Sequence, residues 1–425
     1  MFPFKKDTII KYLIILLPFS LVFSIFITEI FLILISFFYL YEVRKENLFK
    51  LISLNFSFLG IFLCAYFLFV SLNSIFLENE FLLRNTIFYF RFYFYFLFIL
   101  FFIKKLNNYN LILKSFFIIF IILILDATFQ LIFGFNVFGM PIMVENRISS
   151  FFGDELVLGS YISRLVPFFL IVIFVLNENL FFRLICIISL VYVVILSGER
   201  TALFLLFLNI FFIFVVIKKF RLHLFYITCF SLIFFVAIIN LNNTYYERYY
   251  LNVVSSFGIN QSSTDIKIDK LSIFDNNNNL SLVIFSRHHQ DHYESAYKIF
   301  KNNLLIGGGT KSFKYLCKKS EYKISSSSCS THPHNIAIQF LSELGTLGFV
   351  FLIFFHLLIG RDFINIIKFQ NDEKPKLFLI FSLVGLIINI FPLIPSGNFF
   401  NNWLSVIFTL NLVNYIYLRQ KYLND

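Results

Sequence analysis

The chain has 425 residues, of which 59% are hydrophobic and 14% charged, with a mean hydropathy of +0.82. That balance excludes a soluble globular domain, and apolar runs of about 20 residues read as membrane spans. The formal net charge of +11 is read as topology and not as nucleic-acid binding, because Lys and Arg of a membrane protein collect on its cytoplasmic loops.

Window hydropathy predicts an all-α, polytopic membrane protein with about twelve spans. In chain order they lie near 8–27, 29–43, 50–72, 84–103, 111–133, 156–176, 180–197, 201–217, 223–241, 335–359, 377–394 and 400–418. The first run follows Lys5 and Lys6 without a small-residue cleavage site, and more spans follow, so a cleavable signal peptide is not expected. Lys5, Lys6, Arg44, Lys45, Lys50, Lys104, Lys105, Lys114, Arg183, Lys218, Lys219, Arg221, Arg361, Lys368, Lys374, Lys376, Arg419 and Lys421 all fall on one side if the N-terminus is cytoplasmic. The loop over 134–155, the hairpin at 197–200 and the long loop over 242–333 are then expected outside. This divides the chain into a bundle over 1–241, an outer loop domain over 242–333 and a second bundle over 334–425. The long loop is itself basic, which long translocated loops tolerate, and a basic patch outside asks for an anionic partner.

Within the long loop, 261–265 and 276–279 read as flexible polar stretches. Residues 286–300 read as a helix, with Tyr293, Tyr297 and Phe300 at helical spacing, suited to lie across a membrane surface. Gly307, Gly308, Gly309 and Thr310 make a turn. No Lys-Ser/Thr follows them at P-loop spacing, so a nucleotide site is not expected. Cys317 and Cys329 share this loop, where an oxidising compartment allows a disulfide; two separate thiols remain the alternative. Cys64, Cys186 and Cys229 lie in apolar runs and read as packing residues.

The residues able to carry chemistry are few. Asp126, with Gln130 one turn later, Arg91 and Arg164 are charges or polar groups inside predicted spans. A charge at the bilayer centre costs about 2.5–3.5 kcal/mol, so Asp126 is expected to pair with Arg91 or Arg164. Arg147, Arg200 and Arg287 fall on the outer side, where positive charge is disfavoured. Each alone reads as structural, but together they could clamp a diphosphate, which the planar guanidinium binds bidentately. His288, His289, Asp291 and His292 resemble metal ligands, but no further acidic cluster or cysteine set completes a site, so no metal is expected. His334 stands where the long loop meets a new apolar run. The positive end of the following helix favours a neutral imidazole there, which is what a general base must be; a capping or interfacial histidine is the plainer alternative. Glu343 lies further along that run, beside Gly345, Thr346, Leu347 and Gly348.

His334 and Asn335, followed after nine residues by Gly345 and Gly348, resemble the signature of the O-antigen ligase/polymerase family of polytopic membrane glycosyltransferases. The stretch from Leu196 through Ser197, Gly198, Glu199 and Arg200 to Thr201 and Ala202 is similar to that family's Ser-x-x-Arg hairpin. Asp126, Gln130, Gly134, Asn136 and Gly139 are similar to its Asp…Gln…Gly-x-Asn…Gly stretch. Phe349 stands where ligases of the family typically carry Thr, which leaves ligase and polymerase both open. The resemblance implies a bacterial inner-membrane enzyme with its site facing the periplasm. It implies a donor glycan on undecaprenyl diphosphate, a lipid A-core acceptor and no cofactor. In that reading Arg200 and Arg287 hold the diphosphate, His334 deprotonates the acceptor hydroxyl, and the anomeric carbon is inverted. Asn335, Asp126, Gln130, Glu343, Gly345 and Gly348 support the site. A transporter is the rival from another class, and it would need the intramembrane charges to line a continuous path.

Overall fold

In lipid, every backbone N–H and C=O must be satisfied internally, so apolar runs of this length fold as helices. The structure, a computed structural model, describes residues 6–43, 60–61, 64–68, 86, 88–143, 147–176, 179–218, 221–241, 243–251, 260–262, 265–267, 287–368 and 373–423. The run expected near 50–72 lies mostly outside these residues, as do Lys5, Arg44, Lys45, Lys50, Lys219 and the stretch 276–279.

Helices occupy most of the other expected runs. They are α1 (Lys6–Phe23), α2 (Ile25–Val43), α3 (Arg91–Leu106), α4 (Tyr109–Phe133), α5 (Leu158–Ile171, continued by a π turn over Val172–Leu176), α6 (Leu180–Leu196), α7 (Arg200–Val216) and α8 (Arg221–Leu241). Then come α9 (Asn243–Tyr246, continued by a π turn over Glu247–Leu251), α10 (Arg287–Asn302), α11 (Phe313–Leu316), α12 (Ile336–Lys368), α13 (Glu373–Asn389) and α14 (Asn402–Tyr422). Among the described residues, Ile25–Glu42, Tyr109–Phe133, Leu158–Leu176 and Ile336–Lys368 are long and apolar enough to cross a membrane. Leu180–Leu196, Arg200–Val216 and Leu224–Asn240 are shorter apolar helices. The helical expectation needs one addition. Asn260–Ser262 pairs antiparallel with Asp265–Lys267, in the stretch read as flexible.

Helix ends sort into two faces. At one, Lys6 at the start of α1 and Lys105 at the end of α3 both pair with Glu42 at the end of α2. Deep at the same end, Asp362 accepts from Arg419 Nε at 2.8 Å and from the Tyr415 hydroxyl at 2.7 Å. At the other face lie the starts of α5, α7, α12 and α14. One buried apolar cluster runs from Ile10 to Leu418 and takes in residues on both sides of the long loop. A small second core, Ala296, Ile299, Phe313, Cys317 and Tyr322, joins α10 to the segment after it. Cys317 and Cys329 are disulfide-bonded beside it, with Cα atoms 5.3 Å apart. Cys186 is buried, and Cys64 and Cys229 are half-buried.

The two glycine motifs meet backbone to backbone. Gly345 breaks the helical path of α12 with φ +66° and ψ −164°, a conformation open to glycine alone. At that break Gly308 N donates to Ser342 O and Gly309 N to Glu343 O, both at 2.8 Å. Thr346 N and Leu347 N donate back to Leu304 O and Leu305 O at 2.8 and 3.2 Å. A Cβ on Gly345 would stand 2.5 Å from Gly307 N and Leu305 O, and one on Gly307 would stand 2.5 Å from Gly345 N. Gly348 faces Leu344 from the preceding turn, with no room for a Cβ. Gly345→Ala is therefore expected to cost more than about 2 kcal/mol, read as a lowered unfolding temperature in detergent. Gly360→Ala, where a Cβ meets nothing within 4 Å, should leave that temperature unchanged.

Candidate active site

The segment before α12 is pinned by its own side chains. Asn335 caps the helix, its Oδ1 accepting from Ile338 N at 3.1 Å. Its Nδ2 donates to Pro392 O at 2.7 Å, tying the cap to the loop that leads into α14. Ser396 N in that loop donates to His334 O at 2.8 Å. His332 Nε2 lies 2.9 Å from Ser396 O, and a carbonyl can only accept, so this nitrogen carries the proton. His332 Nδ1 is then the acceptor for the Thr331 hydroxyl at 2.8 Å. His334 sits between these anchors with φ +58°, a left-handed conformation uncommon outside glycine.

Four imidazoles gather there. The His334 ring centroid lies 4.1 Å from that of His332, 5.2 Å from His292 and 5.5 Å from His289. His292 Nδ1 donates to Ser328 O at 3.0 Å, which fixes its tautomer too. Burial, then the neighbouring imidazoles, hold His334 down to about 3, and burial holds His332 and His289 down to about 4. The Arg200 guanidinium, at the start of α7, is close enough to contribute to the lowering at His289. Arg200 thus lies within electrostatic range of His289, whose ring centroid is 5.5 Å from that of His334. Arg287 opens α10, two residues before His289; its backbone alone is described.

The family model described as O-antigen ligase matches residues 184–353. That segment is similar to the O-antigen ligase family. It runs from α6 through the first half of α12, and so contains Arg200, all four clustered histidines and the glycine latch. No curated protein matches the chain.

Two further residues of the matched segment act as braces. Glu343 is fully buried, its carboxylate accepting from Lys311 N at 3.0 Å, Gln339 Nε2 at 3.1 Å and Phe313 N at 3.3 Å. Glu199 accepts from Gly159 N at 2.7 Å and the Ser160 hydroxyl at 2.6 Å, capping α5. Burial raises its pKa, against the lowering effects of Ser160 and Arg147. Arg147 Nε donates to Ser197 O at 2.8 Å, Tyr245 to Leu196 O at 3.1 Å, Tyr249 to Ile195 O at 3.0 Å and Arg248 to Gly198 O. Together they satisfy the last carbonyls around the end of α6, where the helix dipole is negative and cations are favoured. Arg147 is thus held on the hairpin backbone.

One expectation is corrected. Asp126 pairs with neither Arg91 nor Arg164. Its Oδ1 accepts from Val137 N at 2.9 Å and its Oδ2 from the Ser150 hydroxyl. Gln130 Oε1 accepts from Ser149 N and Ser150 N at 3.1 and 2.7 Å, and Asn136 Nδ2 donates to Ser150 O at 2.9 Å. Val137 N and the Ser150 hydroxyl, both from the loop that follows, satisfy the carboxyl group without bringing a second charge out of water. Arg91 instead pairs with Glu29 at 3.0 Å, and Arg164 lies against Asn389. Among the described residues no group of three or more His, Cys, Asp or Glu is arranged to hold a metal ion.

His289, His332 and His334 set a pH dependence. In the unfolded chain they take up protons near the ordinary value of 6.5, but in the folded one only near 3 to 4. The unfolded state therefore binds more protons below about pH 6.5, and their contribution to stability is lost as pH falls from there. Unfolding temperature is expected to drop between pH 7 and 4.5, with a shallower slope for His334→Gln.

Proposed function

We propose that the chain is a glycosyltransferase of the ligase type, which moves a glycan from undecaprenyl diphosphate to a sugar hydroxyl of lipid A-core. The observation that supports this reading is the gathering of four imidazoles at His334, with Arg200 in electrostatic range of His289, inside the matched segment. The acceptor hydroxyl gives its proton to the neutral His334 ring as its oxygen attacks the anomeric carbon. The bond from that carbon to the diphosphate oxygen breaks, and the configuration inverts. Arg200 and Arg287 neutralise the charge growing on the diphosphate, a leaving group good enough that arginine can stand in for a metal. The site then faces the periplasm, on a protein of about twelve spans in the bacterial inner membrane. The alternation of basic helix ends supports that orientation.

The test is transfer by purified protein in nanodiscs, with a lipid-linked glycan, lipid A-core and EDTA. Wild type should glycosylate lipid A-core, and His334→Ala should lose about 10²–10⁴ of kcat. Arg200→Ala should lose activity in proportion to lost charge at the leaving group, and Arg200→Lys should recover only part, since a point charge cannot bind bidentately. Lengthening of the lipid-linked glycan alone would assign the chain to polymerisation. Absence of both products with several donors would contradict the transferase reading and favour transport.

A further inference from the structure

We propose that the Cys317–Cys329 bridge is a positioning element of the imidazole cluster, so that the site is complete only after oxidation, a regulation that rests on the base reading of His334. The bridge closes part of the segment that leads from α11 to α12, its cysteines 12 residues apart. The Cys317 end is fixed. Cys317 is fully buried with Ala296, Ile299, Phe313 and Tyr322, the core that joins this segment to α10. The Cys329 end adjoins the turn that touches α10. Ser328 O accepts from His292 Nδ1 at 3.0 Å, and the Ser325 and Ser327 hydroxyls donate to Asp291. The turn holds together as a unit, because Ser328 Oγ accepts from Ile324 N at 3.2 Å and donates to Ser325 O at 2.9 Å.

The turn has little else to hold it. Residues 318–328 are mostly Lys and Ser, and of them only Tyr322 enters the second core. Without the bridge, single hydrogen bonds of modest net worth would tie the turn to α10. With it, the covalent loop narrows the alternatives open to Ser328. The consequence reaches His334 through one ring. Donation from His292 Nδ1 to Ser328 O leaves Nε2 as the acceptor, on a ring whose centroid lies 5.2 Å from that of His334. A released Ser328 would let that ring rotate and change tautomer beside the base. The redox step balances. Two thiols give two electrons and two protons to a disulfide-bearing oxidant, whose own bond opens to two thiols. Reversal is slow, because attack on the half-buried Cys329 sulfur expels the Cys317 thiolate into apolar surroundings, where it is a poor leaving group. The bridge therefore acts as a lasting lock set once by oxidation.

The experiment uses the full chain in nanodiscs in four forms: oxidised wild type, wild type reduced by a phosphine until two new thiols are counted, the same sample reoxidised with oxidised glutathione, and Cys317→Ala combined with Cys329→Ala. Each is assayed for transfer and for acylation of His292 by diethyl pyrocarbonate, with the unfolding temperature as the check that the bundle is intact. Reduction and the double substitution should each lower kcat by about tenfold or more and leave KM for the donor within about twofold. His292, at 7% exposure, should become reactive in both, and reoxidation should restore kcat and protection together. Unchanged kcat in the reduced protein would overturn the proposal, whether or not His292 is exposed. Lost kcat with His292 still protected would also overturn it, since the bridge would then act by another route. If the double variant does not fold, the reduced and reoxidised wild type decide alone. Oxidised wild type that transfers nothing with any donor would contradict the transferase reading, and the labelling of His292 would still decide whether the bridge holds that ring.

Discussion

The site depends on a backbone-to-backbone latch between Gly307, Gly308, Gly309 and the break at Gly345. Four amide hydrogen bonds cross it, and no side chain separates the two strands of chain. The latch fixes α10, which ends shortly before the glycine run, against the start of α12, which carries His334 just before its cap. The Glu343 carboxylate reinforces it by accepting the amides that open α11. Because three glycines close it without rotatable side chains, the imidazoles of α10 face His334 in one arrangement.

The second half of the site is built by helix ends. The carbonyls that close α6 attract Arg147 and Arg248 as well as two tyrosine hydroxyls. Glu199 turns the other way, to the amides that open α5. The hairpin is thereby held from both sides, and Arg200 extends from a rigid base.

Much of the architecture was legible in the sequence, because hydropathy and helix length are local properties. The helix over 286–300 and the hairpin at 197–200 were both placed by pattern. What escaped were bonds to backbone. Asp126 was matched with distant arginines by depth in the span, whereas its partners are an amide and a hydroxyl of the loop that follows. His332 and Ser396 carry no motif, since a carbonyl acceptor leaves no trace in residue type. His289 and His292 were read only as part of a group resembling metal ligands. The available signal was that His292, Ala296 and Ile299 share one stripe at helical spacing, and all three are buried. Such a stripe turns its histidine inward.

The central claim is that a lipid-linked diphosphate binds over His334. The most direct test is acylation of histidines by diethyl pyrocarbonate, mapped by mass spectrometry with and without an undecaprenyl-diphosphate glycan. A neutral, partly exposed ring reacts readily, and His334 is both. The account predicts that the lipid protects His334 and His289 while His288 stays reactive. Unchanged labelling of His334 under conditions where the lipid is shown to be bound would contradict it.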